Sequence, residues 1–258
     1  MASKGVDPDI FTYCTILKGL FQAGRTAAAK ELYLWMFKSG IKLNIGTYNI
    51  ILQGICQNNC TDDALPMFHN LCLTDIQLEN RTFNIMIGAL LKGGRHDEAK
   101  DLFASLLANS LVPDVVTYTL MMESSIEQGL LEELDGLFVS MEKNGCTADS
   151  RLLNALVRKL LQKGEVRKVG VYLSKIDENN FSLEASTAES LVLLVSGGEY
   201  DQHINSIPEK YRPTAKSRVF DAAVSYAVKL VCLQLLIAHE SCFNNLSVTF
   251  EINPDLSW

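Results

Sequence analysis

The sequence predicts an all-α protein, a right-handed superhelical solenoid of 35-residue helix-turn-helix repeats, and three observations carry that expectation. First, three apolar columns share one period: Tyr13, Tyr48, Phe83, Tyr118 and Leu153; Leu17, Leu52, Ile87, Met122 and Val157; and Tyr33, Phe68, Phe103, Phe138 and Leu173. Second, apolar residues inside each period recur at helical spacing, as Ile51, Leu52 and Ile55 do in one segment and Leu65, Phe68 and Leu71 in the next. Third, a breaker divides each period in two, at Gly24-Arg25, Gly94-Arg95, Gly129 or Gly164.

Taken in order, residues 1–9 are in phase with the late positions of a repeat, since Met1, Gly5, Pro8 and Asp9 match them, and are expected to be the remnant of a preceding unit. Repeats then occupy 10–44, 45–79, 80–114, 115–149 and 150–184 without insertion. In each, the second helix runs out into a turn such as Ser39-Gly40, Asn144-Gly145 or Pro113. Thr12, Thr47, Thr82 and Thr117 precede the first apolar run, where a hydroxyl could cap free amides. One hairpin cannot bury both its apolar faces, so the units must stack, with the first helices lining the concave side. Residues 185–212 are expected to form a truncated capping repeat, and 213–258 a tail outside the period.

At 258 residues, 48% hydrophobic and 21% charged, the chain can bury a substantial core. A net charge of -7 and a pI near 5.2 exclude gripping nucleic acid through a broad basic surface, because that mode replaces many phosphate counterions with Lys and Arg. Seven cysteines, odd in number and irregularly spaced, fit a reducing compartment better than a disulfide framework.

The strings IFTYCTILKGLFQAGRTAAAKELYLWMFKSGIKLN and VVTYTLMMESSIEQGLLEELDGLFVSMEKNGCTAD are similar in length and wording to the pentatricopeptide repeat, in its pure 35-residue class. The resemblance runs from Met1 to about Arg212, and the wording resembles the plant restorer-of-fertility branch. It implies single-stranded RNA as partner, with one base read per repeat by the fifth and last residues. Those pairs are Cys14 with Asn44, Asn49 with Glu79, Asn84 with Asp114, Thr119 with Asp149, and Asn154 with Glu184. Elementary chemistry agrees: a carboxylate only accepts, so Asp114 and Asp149 favour the imino N–H of uracil and guanine, whereas the Asn44 amide can donate to adenine or cytosine. The family association of Asn with pyrimidines and Thr with purines makes repeat three resemble a reader of U and repeat four of G. At the second residue, which in the family packs on the base, Phe11, Val116, Arg81 and Arg151 can stack, and Gly46 cannot. That makes the second repeat the weakest reader. Family members often contact phosphate with a Lys at the thirteenth residue, here Lys92 alone; Gln22, Gln57, Glu127 and Gln162 hold the other places. Five imperfect repeats imply weak binding by this chain alone.

Cys56, Cys60, His69 and Cys72 are zinc-ligand types, but Cys56 falls in the column of Phe21, Leu91, Ile126 and Leu161, so no metal is expected. None of His69, His96, His203 and His239 has a catalytic partner at a recognised spacing, and no phosphate-cradling glycine loop exists, so neither an enzyme nor a cofactor is expected. The acidic cluster Glu132, Glu133 and Asp135 reads as a solvated helix face. Ala222 to Ala238 is apolar but short and interrupted by Lys229, so no membrane partner is expected, nor DNA. Asn245-Leu246-Ser247 fits a glycosylation sequon without a secretory signal behind it. The resemblance implies the mitochondrion, with plastid as alternative, though no transit peptide is visible. Function then means occupying a transcript, guiding its processing, stability or translation, with any cleavage left to a recruited processing factor. Two alternatives stand beside it: a protein-binding helical-repeat scaffold, and a truncated paralogue without independent function.

Overall fold

The computed structural model describes residues 8–108, 111–196 and 205–212. Its elements are α1 (Ile10–Gln22), α2 (Thr26–Lys38), α3 (Ile45–Gln57), α4 (Thr61–Cys72), α5 (Asn80–Lys92), α6 (His96–Ala108), α7 (Val115–Glu127), α8 (Leu131–Lys143), α9 (Ser150–Gln162), α10 (Val166–Glu178) and α11 (Ala185–Ser196), followed by a 3-10 turn at Glu209–Tyr211. Among the described residues every regular element is helical, and no helix is long and apolar enough to cross a membrane. The whole tail from 213, with His239, Lys229 and Asn245 in it, residues 1–7 of the expected remnant, and His203 lie outside the described residues.

The chain divides into two units, Met1–Leu152 and Leu153–Trp258. In the first, α1, α3, α5 and α7 pack side by side in succession, and α1, α3, α5 and α7 each pair with the helix that follows. Leu17, Leu52, Ile87 and Met122, one of the sequence columns, are all 0% exposed at the centre of these contacts. Each fully buried side chain of this kind contributes about 1.5–3 kcal/mol. The turn inside each hairpin has a second periodicity. Gly24, Asn59, Gly94, Gly129 and Gly164 all adopt positive φ between 59° and 75°, ending a first helix with the left-handed residue that glycine or asparagine tolerates best. Asn59 therefore does the work of the glycines that the sequence pattern shows elsewhere.

Successive hairpins also interlock sterically. A Cβ on Gly54 of α3 would stand 2.2 Å from the Phe21 ring of α1, so the ring rests directly on the α3 backbone. On the other face, Lys30 pairs with Asp63 at 2.5 Å and Lys100 with Glu133 at 2.8 Å, linking second helices of neighbouring repeats at the same 33-residue offset. Being partly exposed, such pairs add about 0–1 kcal/mol each and mainly fix the register.

In the second unit, Leu153, Leu156, Val157 and Leu160 of α9 are buried with Val169, Leu173 and Ile176 of α10. The segment 205–212 packs there as well: a Cβ on Gly170 would fall 1.8 Å from the Ser206 carbonyl oxygen, and Tyr211 donates its hydroxyl to Asp177 Oδ1 at 2.6 Å.

Candidate nucleic-acid interface

The first helices of repeats one to four begin one residue after Asp9, Asn44, Glu79 and Asp114, which take the N-cap position ahead of Thr12, Thr47, Thr82 and Thr117; at Thr117 the expected hydroxyl cap forms as well, accepting from the Asp114 N–H at 3.3 Å. The cap is the acidic or amide residue in extended backbone, and the threonine is the third helical residue. Asp9, Asn44 and Asp114 each accept from a threonine backbone N–H and from the same threonine's hydroxyl at 2.7 to 3.0 Å. The N-cap residue has extended dihedrals, which lets its Oδ1 reach the amide three residues on. Glu79 is one methylene longer and makes no such bond, which leaves the buried Thr82 hydroxyl oxygen unpartnered. Asp149 accepts from the Leu152 N–H at 2.8 Å and has no hydroxyl to hold it, because leucine stands where the threonines stand.

At Asn44, Asp114 and Asp149 the last residue of a repeat is thus a helix cap and a candidate base contact at once. In repeat three the two candidate readers touch: Asn84 Nδ2 donates to Asp114 Oδ1 at 3.1 Å. Oδ1 therefore holds three donors, while Oδ2 accepts nothing from the described residues. In repeat one the link is indirect, Cys14 Sγ lying 3.5 Å from the Thr47 hydroxyl that bonds Asn44. In repeat five Asn154 Oδ1 accepts from the Glu184 backbone N–H at 2.9 Å. Thr119 spends its hydroxyl proton on the Val115 carbonyl at 2.7 Å and makes no bond to Asp149. Asn49 is 2% exposed with its side-chain oxygen unpartnered, and the exposed Glu79 does not reach it.

The second residues are all exposed: Phe11 at 77%, Val116 at 55%, and Gly46, Arg81 and Arg151 likewise. Phe11 in repeat one and Val116 in repeat four, apolar side chains left in water at the same place in their repeats, are available stacking surfaces. Lys92 is exposed and donates to Asn59 Oδ1 at 3.4 Å, which holds its ammonium at the rim.

One cavity of about 500 Å³ gathers these groups. It lies between α3, α5 and α7 and is lined by Arg81, Asn84, Lys92, Asp114 and Val116, together with Gln53, Cys56, Gln57, Ile85, Gly88, Ala89 and Leu120. Five of the candidate residues converge there: two able to stack, two hydrogen-bonding, one cationic. The volume suits a flat heterocycle with room for solvent. Burial pushes the Cys56 thiol up to about 11, so this wall presents a neutral thiol and no thiolate. Sequence reasoning missed Gln53 and Leu120 as lining residues and Thr117 as the group that fixes Asp114. The three-residue spacing from Asp or Asn to Thr was the available signal.

Among the described residues no group of three His, Cys, Asp or Glu is placed to hold a metal ion. His96 Nδ1 lies 2.9 Å from Ser124 Oγ, a contact the sequence did not suggest. Ser124 is 4% exposed and also bonds Gln128 Nε2 at 3.0 Å, so the pair ties α6 to α7 and offers no accessible nucleophile.

Comparison with known proteins gives consistent matches. A PPR repeat family model matches residues 8–57, 43–92 and 80–125, and a PPR repeat model matches 116–146. Protein Rf1, mitochondrial, of Oryza sativa subsp. indica is 61% identical over 53 residues, 20% of this chain and 7% of that protein. The maize pentatricopeptide repeat protein PPR10 superposes on 87% of this chain with a TM-score of 0.60 and 20% identity, and its complex with an 18-nt psaJ RNA element on 86% with 0.56 and 18%. The PPR domain of Arabidopsis thaliana protein-only RNase P 1, in complex with tRNA, matches 70% of this chain at 0.56 and 16% identity. The matched stretches cover 30% of the first maize chain, 39% of the second and 95% of the Arabidopsis domain.

Proposed function

Because this chain belongs to the pentatricopeptide repeat family, more than half of it falling within matched repeats, we propose that it binds single-stranded RNA along its first helices, one base per repeat, and acts by occupying a transcript. The observation that carries this reading is the convergence of Arg81, Asn84, Lys92, Asp114 and Val116 on one cavity. A base entering it stacks between the Arg81 guanidinium and Val116, offers an imino proton to Asp114 Oδ2, and leaves its phosphate near Lys92. Stacking is worth about 1–3 kcal/mol per base. The resemblance to a mitochondrial rice protein supports a mitochondrial transcript as target and a role akin to fertility restoration. Processing, protection from nucleases or altered translation then follows from occupancy, with cleavage left to a recruited factor. The RNA-bound states of two solved relatives support the same partner class.

Filter binding of the purified chain tests the proposal. Single-stranded RNA should bind more tightly than duplex RNA or duplex DNA, since only unstacked bases can enter the cavity. The dependence on salt should be shallow, because Lys92 alone holds the expected phosphate position. Equal affinity for duplex would refute the groove reading, and a slope of many released ions would refute the assignment of the phosphate contact.

A further inference from the structure

The fifth repeat is built differently from the third. Asn154 is fully buried with both ends of its amide committed: Oδ1 accepts from the Glu184 N–H at 2.9 Å, and Nδ2 donates to the Ser182 carbonyl at 3.2 Å. Its counterpart Asn84 is half-buried and lines the cavity. Glu184 is held in turn by Arg158, whose Nη1 donates to Glu184 Oε2 at 2.6 Å, Thr187 Oγ1 at 2.9 Å and Ser186 Oγ at 3.3 Å. Arg158 is the ninth residue of its repeat. The ninth residues of repeats two and three, Gln53 and Gly88, line the cavity described above, and neither carries charge.

We infer that Arg158 closes the fifth repeat as a base reader and makes it a position of low selectivity. The inference rests on the RNA-binding reading proposed above. A carboxylate selects uracil and guanine because it offers acceptors only. Pairing with a guanidinium cancels its charge and sets N–H donors beside the remaining acceptor Oε1. A base edge arriving there meets donors and an acceptor together, so an imino proton confers no advantage over an unprotonated ring nitrogen. Asn154 cannot compensate, since releasing either end of its amide would strand a buried polar group. Anchoring on two hydroxyls as well as the carboxylate distinguishes Arg158 from a loose surface ion pair.

The test recovers bound sequences from a randomised single-stranded RNA pool with the full chain, wild type and Arg158→Ala. Wild type should select a base opposite repeat three and discriminate less than about twofold opposite repeat five. Arg158→Ala should add one new position preferring U and G by about fivefold or more, the lower range for a restored hydrogen bond. Adding Glu184→Gln to Arg158→Ala should abolish that new preference. If Arg158→Ala fails to fold, Arg158→Met, which removes the charge and the N–H donors and keeps a long unbranched side chain, should give the same gain. An unchanged selection profile in a folded variant overturns the closure, while selection opposite repeat three that still responds to Asp114→Asn leaves RNA reading intact. A wild-type chain that binds no single-stranded RNA removes both.

Discussion

Asp114→Asn separates reading from capping in repeat three. In the wild type Oδ1 carries the structural load, accepting from the Thr117 N–H at 2.8 Å, the Thr117 hydroxyl at 2.8 Å and Asn84 Nδ2 at 3.1 Å, and Oδ2 has no described partner. An asparagine can keep its carbonyl oxygen on those three donors and present its NH2 where Oδ2 stood. Asparagine caps helices about as well as aspartate. Removing the charge from the α7 N-terminus costs about 0.3–1 kcal/mol, so the melting temperature should fall by only a few degrees. The groove-facing atom, however, changes from acceptor to donor. Mismatched hydrogen bonding costs about 1–3 kcal/mol, and because Asp114 is only half-buried the lower end applies, about five- to tenfold in affinity. Competition among four RNAs differing at one nucleotide should show a preference for U in the wild type and a shift toward C and A in the variant. Asp114→Ala, which loses the cap, should lower stability by about 0.5–2 kcal/mol and flatten the ranking. An unchanged ranking in folded Asp114→Asn would mean that Asp114 is a cap and nothing more, and the base-reading account would fall while the fold stands.

Two further outcomes are expected. Asp149→Asn should move the preference opposite repeat four from G toward A, but by less than Asp114→Asn does opposite repeat three. Asp149 is exposed and tied by one backbone bond to Leu152, so its carboxylate is less fixed before the base arrives; an equal or larger shift in the same competition assay would contradict the orienting role given to Thr117. Gly54→Ala should destabilise the first unit by about 1–3 kcal/mol despite the better helix propensity of alanine, because its Cβ would overlap the Phe21 ring; urea denaturation showing a gain in stability would refute that packing contact.

The repeat period was legible because the residues that set it are buried for one reason in every unit. Leu17, Leu52, Ile87, Met122 and Val157 are all 0% exposed, and a shared environment imposes a shared residue type. Features belonging to one repeat leave no such trace. Arg158 shares its column with Lys18, Gln53, Gly88 and Glu123, and its reach to Glu184 depends on where α11 begins. Gly54 looks like a helix-weakening residue until the Phe21 ring of the preceding hairpin is seen above it.

The candidate readers were legible only in part, because one signal serves two chemistries. A short polar side chain ending each repeat is what a helix cap requires and also what a base contact requires, so the pattern alone cannot apportion them. The threonine column sharpened the ambiguity: the sequence suggested hydroxyl caps, and the Thr117 hydroxyl does accept from the Asp114 N–H, but the N-cap position belongs to Asn44 and Asp114, whose side chains take the threonine amides. A carboxylate resolves the conflict by having two oxygens. Asp114 can commit Oδ1 to the helix and keep Oδ2 for the groove, so the bonds that end one repeat and start the next also orient the atom proposed to meet the base. Where the supporting threonine becomes Leu152 the orientation loosens, and where aspartate becomes Glu79 the cap is lost and Thr82 is stranded. Among repeats one to four the quality of reading should therefore vary with the quality of capping, strongest at repeat three and weakest at repeat two.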